Sequence, residues 1–245
     1  MNWLIASLAA GMAAMLLFEF FNPARKFPKV KFWIVRALLM VAIQVGVVTL
    51  GNFLWDKWFS GRTVFQLSHL HSVLSILIAF AVISFVSYWQ HRLKHRVDFL
   101  WRFFHQVHHA PSRVEILTSF YRNPFEILVN MFCMSGILYG LLGCDAHTAQ
   151  IVVFIMGAAD LFYHWNIRTP PWLGYLIQRP EAHCIHHLAG VHAYNYGDIP
   201  LWDMLFGTYR NIVSFNGTCG FGAENERSFL AMLAGRDLSG KRLRH

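Results

Sequence analysis

Long apolar segments are the feature that most restricts how this sequence can fold. Runs at residues 2–21, 32–55 and 70–89 each have about the length of a helix that crosses a bilayer. Two shorter runs, at residues 124–142 and 149–163, are predicted to form a helical hairpin in the membrane. Charged residues make up 14% of the chain, whereas soluble domains carry about 25%. We therefore predict an all-α, polytopic membrane protein with four to five membrane helices.

The length and the charge limit the number of domains and the classes of partner. A chain of 245 residues fits one domain, 1–245, and leaves no room for a separate flavin- or nicotinamide-binding module. The run at residues 2–21 lacks a basic leader and a cleavage site, so we predict a retained anchor. The net charge of +8 does not indicate nucleic acid as a partner, because no basic run alternates with aromatic residues.

The distribution of Lys and Arg predicts how the helices are oriented. Of the 21 basic residues, 19 fall on one face, in residues 22–36, in residues 92–122 and after His164. Only Lys57 and Arg62 fall on the other face. Because cytoplasmic loops carry the excess of Lys and Arg, we predict that the polar segments form a helical cap on the cytoplasmic side.

Nine of the 14 histidines follow a pattern typical of metal ligands. Three clusters have side chains three or four positions apart, which share one face of a helix. Imidazole is the commonest metal-binding side chain, and nine imidazoles exceed the four ligands of one tetrahedral zinc ion. We therefore predict that two metals share them. The nine are His91, His95, His105, His108, His109, His164, His183, His186 and His187.

The metal and the chemistry stay open from the ligands alone, because neutral imidazole suits iron, zinc, copper and nickel. A site at the cytoplasmic ends of membrane helices meets lipid chains and sterol-like rings. An oxygen-activating pair of irons fits this setting. The alternatives are a zinc-dependent lipid hydrolase and a membrane metal-binding or metal-transport protein. Four histidines outside the pattern are interpreted as surface or capping residues: His69, His71, His147 and His245.

The combined pattern resembles the fatty acid hydroxylase/sterol desaturase superfamily of integral-membrane, histidine-box di-iron enzymes. The boxes that carry the resemblance are His91-x3-His95, His105-x2-His108-His109 and His183-x2-His186-His187. Further matching segments are His164-Trp-Asn166, Asn195-Tyr-Gly197 and Leu201-Trp-Asp-Met-Leu-Phe-Gly-Thr208. The resemblance runs from the third predicted span to Tyr209.

The resemblance implies a reaction, its cofactors and its partners. Members of the superfamily hydroxylate or desaturate C–H bonds of lipids, with two non-haem Fe ions as cofactor and O2 as co-substrate. Their electrons come from an external donor such as a ferredoxin or a cytochrome b5-like protein. We therefore expect O2-dependent oxidation of a fatty acyl chain or a sterol-like molecule.

One position departs from the pattern of the ceramide-type hydroxylases, which have another histidine four residues after the one that matches His164. That position is Arg168 here. The ligand set therefore stays at nine, and a water, Asn166, Asn195 or His192 is a candidate to complete it. We interpret His192 as a loop residue rather than a tenth ligand.

Asp160 lies one turn before His164 on the same predicted helix. A ligating histidine gives its other N–H to a carboxylate or a carbonyl, and a carboxylate within a membrane indicates function. We predict that Asp160 orients His164; the alternative is a polar residue that only bonds a neighbouring helix. Cys184, inside the third box, is predicted to face away from the metals. Weaker candidates for an orienting role are Asp98, Glu115, Glu126, Glu181, Asp198 and Asp203.

Overall fold

Helices provide the regular structure of this chain, whose computed structural model describes residues 2–59, 61 and 63–240. Within those residues there is no β-strand, and an isolated antiparallel bridge joins Leu188 to Cys219. The all-α prediction is therefore confirmed. His245 and Arg62, which the sequence analysis assigned to the surface and to the loop opposite the cap, lie outside the described residues.

The α-helices of the described residues are numbered in chain order. They are α1 Asn2–Phe21, α2 Trp33–Gly51, α3 Lys57–Phe59, α4 Ser72–Arg96, α5 Asp98–Leu100, α6 Gln106–His109, α7 Ile116–Ser119, α8 Pro124–Ser135, α9 Ala146–His164, α10 Pro180–His186, α11 Pro200–Leu205 and α12 Phe229–Leu233. Turns of π-helix occupy Asn52–Asp56, Trp101–His105 and Gly136–Leu141, and turns of 3-10 helix occupy Leu67–His69, Pro171–Tyr175 and Asn225–Arg227.

Four helical segments of the described chain are long and apolar enough to cross a membrane. Their mean hydropathy lies between 1.3 and 2.1, and a shorter apolar stretch, Ala9–Phe21, forms most of α1. The number agrees with the four to five membrane helices expected from the sequence. The four segments are Trp33–Trp55, Ser72–Arg96, Pro124–Leu141 and Ala146–His164.

The membrane helices pack in two pairs, α2 against α8 and α4 against α9. Between α4 and α9, Ala79 and Ala149 are buried beside the larger Ile83 and Val152. Small residues let helices approach closely in a membrane, where packing replaces the hydrophobic effect as the force that joins them. This contact holds the cap ends of α4 and α9 at a fixed separation.

The cap rests on the beginning of α2. Trp33 and Met40 of α2 form one buried cluster with Val107, Tyr121 and Met232 of the cap. Helix α4 continues unbroken to Arg96, so the first histidine box lies on the cap end of a candidate membrane helix.

Helix α10 begins at Pro180, since proline suits the first turn of a helix. It ends at His186 rather than continuing toward Gly190. The His187 carbonyl accepts from the Gly220 N–H at 3.2 Å, and the Ala189 N–H donates to the Thr218 carbonyl at 2.9 Å. Because these backbone groups bond residues 218–220, they are not available for another helical turn.

Candidate metal centre

The nine predicted histidines meet at the cap ends of the helices in two adjoining groups. Within each group the ligand nitrogens lie within 4.8 Å of one another. His91 is half-buried and the other eight are buried. The five-histidine group is His91, His95, His105, His109 and His186. The four-histidine group is His108, His164, His183 and His187.

Two of the sequence boxes contribute to both groups. In the second box, His105 and His109 are four positions apart and join the five-histidine group, whereas His108 joins the other. In the third box the pair four apart, His183 and His187, belongs to the four-histidine group. Residues four apart share a helix face. The histidine between them, His108 in the second box and His186 in the third, belongs to the other group. This interleaving fixes the two groups side by side.

The distances between ring nitrogens match those of ligands on a shared ion. His105 Nε2 and His109 Nε2 are 3.2 Å apart, and His183 Nε2 lies 3.1 Å from Nε2 of both His164 and His187. Two nitrogens bound at about 2.1 Å to one ion are about 3.0 Å apart at a right angle and about 3.4 Å apart at the tetrahedral angle. The donor set therefore fits a metal in each group.

Further nitrogens of the groups are buried without a hydrogen-bond partner in the described chain. They include Nε2 of His91 and His186, in the five-histidine group, and Nδ1 of His108, in the other. Buried polar atoms normally have a partner. Bound cations would satisfy these three nitrogens.

Burial keeps these imidazoles in the neutral form that binds metals. Loss of hydration lowers the pKa of six cap histidines below its ordinary value, and for most of the six neighbouring histidines lower the pKa further. For His105 the Glu126 carboxylate opposes this effect, yet its pKa is still lowered. Metal ligands must be deprotonated, so the site is prepared for a cation. The histidines concerned are His105, His108, His109, His183, His186 and His187.

Carbonyl and carboxylate oxygens orient several of the rings from outside. His91 Nδ1–H donates to the Tyr196 carbonyl at 2.8 Å, and His186 Nδ1–H donates to the Tyr194 carbonyl at 2.7 Å. An N–H held in this way fixes the ring and leaves Nε2 for the metal. The Nε2 atoms of both rings therefore point into the five-histidine group.

A cavity of 310 Å³ opens from the histidines into the space between α2, α4, α8 and α9. His91 and His105 of one group and His108 and His183 of the other form its cap end. A substrate in this cavity would contact both groups. Apolar side chains line its membrane portion, including Val48, Ile83, Met134, Ile137, Val153 and Met156.

Comparison with known proteins assigns this architecture to a family. The family described as fatty acid hydroxylase matches residues 76–208, which include all nine histidines. The chain belongs to the fatty acid hydroxylase family. The resemblance stated from the histidine boxes is thereby confirmed.

Several curated relatives of this fatty acid hydroxylase family member have names that refer to lipids. Fatty acid hydroxylase vlmA of Lecanicillium sp is 32% identical over 55% of this chain and 41% of its own length. Human alkylglycerol monooxygenase is 28% identical over 54% of this chain and 29% of its own. Tobacco (Nicotiana tabacum) Delta(7)-sterol-C5(6)-desaturase is 26% identical over 65% and 57%. The chain thus spans less than two thirds of these relatives, and no solved structure matches it.

In this fatty acid hydroxylase family member, Asp160 lies beside His164 as predicted. His164 Nδ1 is 2.8 Å from the Asp160 backbone carbonyl and 3.3 Å from its carboxylate. The carboxylate itself bonds Arg122 at 2.6 Å. The backbone carbonyl of Asp160 is thus the closer acceptor for His164, and its carboxylate binds Arg122 of a neighbouring segment.

Glu126, a weaker candidate in the sequence, has the more direct contact with a histidine. Its carboxylate accepts from His105 Nδ1–H at 2.8 Å and from Lys94 Nζ at 2.9 Å. Glu126 lies in the first turn of α8, 21 positions from His105, so the pairing is not visible in the spacing of the motif. The available signal is an acidic residue in the first turn of an otherwise apolar helix.

The candidates to complete the ligand set lie outside both groups. Asn166 bonds the backbone of Arg25 with its amide, whose oxygen accepts from the Arg25 N–H at 3.0 Å. His192 is a loop residue, but it is buried, with Nδ1 3.2 Å from His109 Nδ1. A role for these residues as ligands stays a prediction.

Asn195 shapes the loop that supplies the orienting carbonyls. Its amide donates to the carbonyls of Ala182 and Arg210, both at 2.9 Å, and accepts from the Arg210 N–H. Tyr194 and Asn195 have φ values of 69° and 47°, a left-handed conformation that costs energy in residues other than glycine. The roles of Tyr194 and Tyr196 cannot be predicted from the sequence, because nothing in a side-chain pattern shows where a carbonyl points.

Cys184 lies in a separate buried cluster with Val114 and Cys219, away from both groups, as predicted. Asp203, a weaker candidate for orienting a histidine, is a buried acid that accepts from the backbone N–H groups of Tyr196 and Gly197, each at 2.8 Å. An orienting role for Asp203 stays a prediction. Three histidines interpreted as surface residues are exposed: His69, His71 and His147.

Proposed function

We propose that this protein oxidises a C–H bond of a membrane lipid in an O2-dependent reaction, with two non-haem irons held by the nine histidines. The observation that carries the proposal is the pair of histidine groups, buried apart from the half-buried His91, that share one cavity between membrane helices. The irons would supply the activation of O2, which amino-acid side chains do not perform. Hydroxylation is the main outcome proposed, and desaturation is its variant.

Both outcomes need electrons from outside the chain. In hydroxylation, R–H, O2, two electrons and two protons yield R–OH and water. In desaturation, the same O2, electrons and protons remove two hydrogens from adjacent carbons and yield a double bond and two waters. We propose that a ferredoxin or a cytochrome b5-like protein supplies the electrons.

The chain's own residues bind and position the reactants. The apolar wall formed by Ile83, Met134 and Met156 would hold a hydrocarbon chain or ring and exclude water. The carbonyls of Tyr194 and Tyr196 and the carboxylate of Glu126 keep the imidazoles in place. The names of the relatives support a lipid substrate, since they refer to a fatty acid, an alkylglycerol and a sterol.

Metal analysis combined with O2 uptake tests the proposal. The full chain, purified in detergent and loaded with ferrous iron, should retain an iron in each group and consume O2 with a lipid extract and a reductant. Stably bound zinc and lipid cleavage without O2 would indicate a hydrolase. Exchangeable metal without O2 uptake would indicate a metal carrier. Lipid mass spectrometry of cells with and without the protein then identifies the substrate.

We further propose that the metal groups face the cytoplasm. The excess of Lys and Arg on the cap side supports this orientation. Cysteines introduced at the exposed Ser68 and at the exposed Ser214 of the cap, in a background without the half-buried Cys133, provide the test with an impermeant reagent. In intact cells Ser68→Cys should be labelled and Ser214→Cys should not; the reverse result would contradict the orientation.

A further inference from the structure

A second, wider cavity of 1430 Å³ lies in the cap, and it has a basic lining. The loop after α1, the loop after α9 and residues 213–223 form its walls. Arg25, Lys26 and Arg168 line it, and Lys26 and Arg168 are exposed. Glu181 also lines it, but this buried acid is paired with Arg179 at 3.3 Å and with Arg25 at 3.9 Å. The exposed charge of this cavity is therefore positive, and we call the cavity the basic groove.

The floor of the basic groove lies directly on the backbone of two histidine boxes. The Gly220 N–H donates to the His187 carbonyl, and the Phe221 N–H donates to the Ala110 carbonyl, both at 3.2 Å. Gly220 has φ +77°, and a Cβ there would lie 2.4 Å from the Pro111 carbonyl oxygen. Only glycine permits this close approach. The segment that forms the groove floor therefore packs directly against the backbone next to the histidines.

Ring contacts continue from the groove floor into the five-histidine group. Phe221 lines the groove, and its ring centroid lies 5.3 Å from that of His192 and 6.2 Å from that of Trp101. Trp101 in turn lies 5.1 Å from His95 and 5.3 Å from His109. A protein seated in the groove would thus be separated from the metal ligands by two rings.

We propose that the basic groove is the docking surface for the acidic electron-transfer protein that reduces this enzyme. The inference rests on the proposed function, because that reaction consumes two electrons and the nine histidines hold the redox centre. A one-electron iron–sulfur or haem protein is oxidised by one electron in each encounter, so two encounters supply the two electrons that one turnover consumes. Opposite charges steer such partners together and set their orientation.

Charge reversal of the two exposed basic residues tests the docking surface. The variant is Lys26→Glu with Arg168→Glu, and the matched control is Lys31→Glu with Arg96→Glu, two exposed basic residues outside the groove. Both variants change the net charge equally. The full, iron-loaded chain is placed in nanodiscs of neutral lipid, and the Kd is measured for an acidic plant-type [2Fe–2S] ferredoxin and for the haem domain of a cytochrome b5.

We expect the groove variant to bind at least one of these probes about tenfold more weakly or worse, whereas the control stays within about twofold of the wild type. High salt should remove the difference, since exposed charges are screened. Equal weakening in both variants, or no weakening in either, would overturn the proposal. So would unchanged probe binding combined with lost binding to vesicles of anionic lipid, which would assign the groove to lipid headgroups.

Iron content and O2 uptake with a small-molecule reductant separate this inference from the proposed function. If the groove variant keeps both at the wild-type level and loses only probe binding, the groove is the docking surface of an intact enzyme. If the wild type holds no iron, the proposed function fails whatever the probes do. If iron and O2 uptake are normal and the groove charges do not affect Kd, only the docking surface is wrong.

Discussion

The two histidine groups use the same ligand type but are supported in different ways. In the five-histidine group, the rings of His91 and His186 donate to carbonyls of the loop at residues 194–196, which is 105 positions from His91 and 8 from His186. In the four-histidine group, His164 donates to a carbonyl one turn earlier on its own helix. The first arrangement depends on tertiary structure and the second on helix geometry alone.

Each group also lies beside a pair of opposite charges, and the pairs differ in what they bond. Glu126, paired with Lys94, accepts directly from His105 through its carboxylate. Asp160 directs its carboxylate mainly to Arg122, and its backbone carbonyl is the closer acceptor for His164. Similar ion pairs therefore have different roles: one orients a ligand in the five-histidine group, and the other joins two segments beside the four-histidine group.

Removal of one ligand from each group should have the largest effect. His186→Ala leaves the five-histidine group with four ligands, and His108→Ala leaves the four-histidine group with three. We expect each variant to lose O2-dependent activity and to release iron, with the greater iron loss in His108→Ala because its group has fewer ligands left. Metal analysis and O2 uptake measure both, with the exposed His71→Ala as the control. Unchanged iron in both variants would contradict the ligand assignment.

Acidification should affect both groups alike, because burial lowers the pKa of histidines in each. Below the ordinary histidine pKa of 6.5 the unfolded chain binds more protons than the folded chain. Stability is therefore retained above pH 6.5 and is lost as the pH falls, by about 1.4 kcal/mol per pH unit for each excess proton. Tryptophan fluorescence of the metal-free protein should show a lower Tm at acid pH. A Tm that does not fall on acidification would contradict the lowered pKa values of these histidines.

Glu126→Gln should weaken the five-histidine group without emptying it. The amide keeps the shape of the side chain but loses the charge that orients His105 and pairs with Lys94. Loss of such an orienting contact lowers metal affinity about 10–100-fold. Iron titration with a competing chelator measures the change in each of two binding phases. Equal weakening of both phases would mean that the groups do not act separately.

The sequence predicted the fold class and the convergence of the histidines for physical reasons that are visible in its spacing. Apolar runs have the length of membrane helices, and residues four apart share a face, so His105 and His109 had to point together. The division between groups depends on the π-helical turn Trp101–His105 and on how α4, α9 and α10 are rotated. Asp160 was predicted because its support is local, whereas the carbonyls of Tyr194 and Tyr196 depend on a left-handed loop that no motif encodes.

Asp160→Asn should give the smallest change in iron binding and thereby sharpen the contrast between the groups. The backbone carbonyl that accepts from His164 is unchanged, so we expect the iron affinity of the four-histidine group to fall less than about tenfold. The variant weakens the pair with Arg122, which is at most a quarter exposed, and should lower the free energy of unfolding by about 2 kcal/mol.

A matched substitution on the same helix separates the two roles of Asp160. Asp145 caps the far end of α9 by accepting from the Thr148 N–H at 2.8 Å, and Asp145→Asn keeps a residue that also caps helices well. Asp145→Asn should therefore change neither iron affinity nor Tm appreciably. If Asp160→Asn lowers iron affinity as much as Glu126→Gln does, the carboxylate orients His164 after all. Each group would then depend on one acidic side chain, Glu126 in the five-histidine group and Asp160 in the other, in addition to the backbone carbonyls.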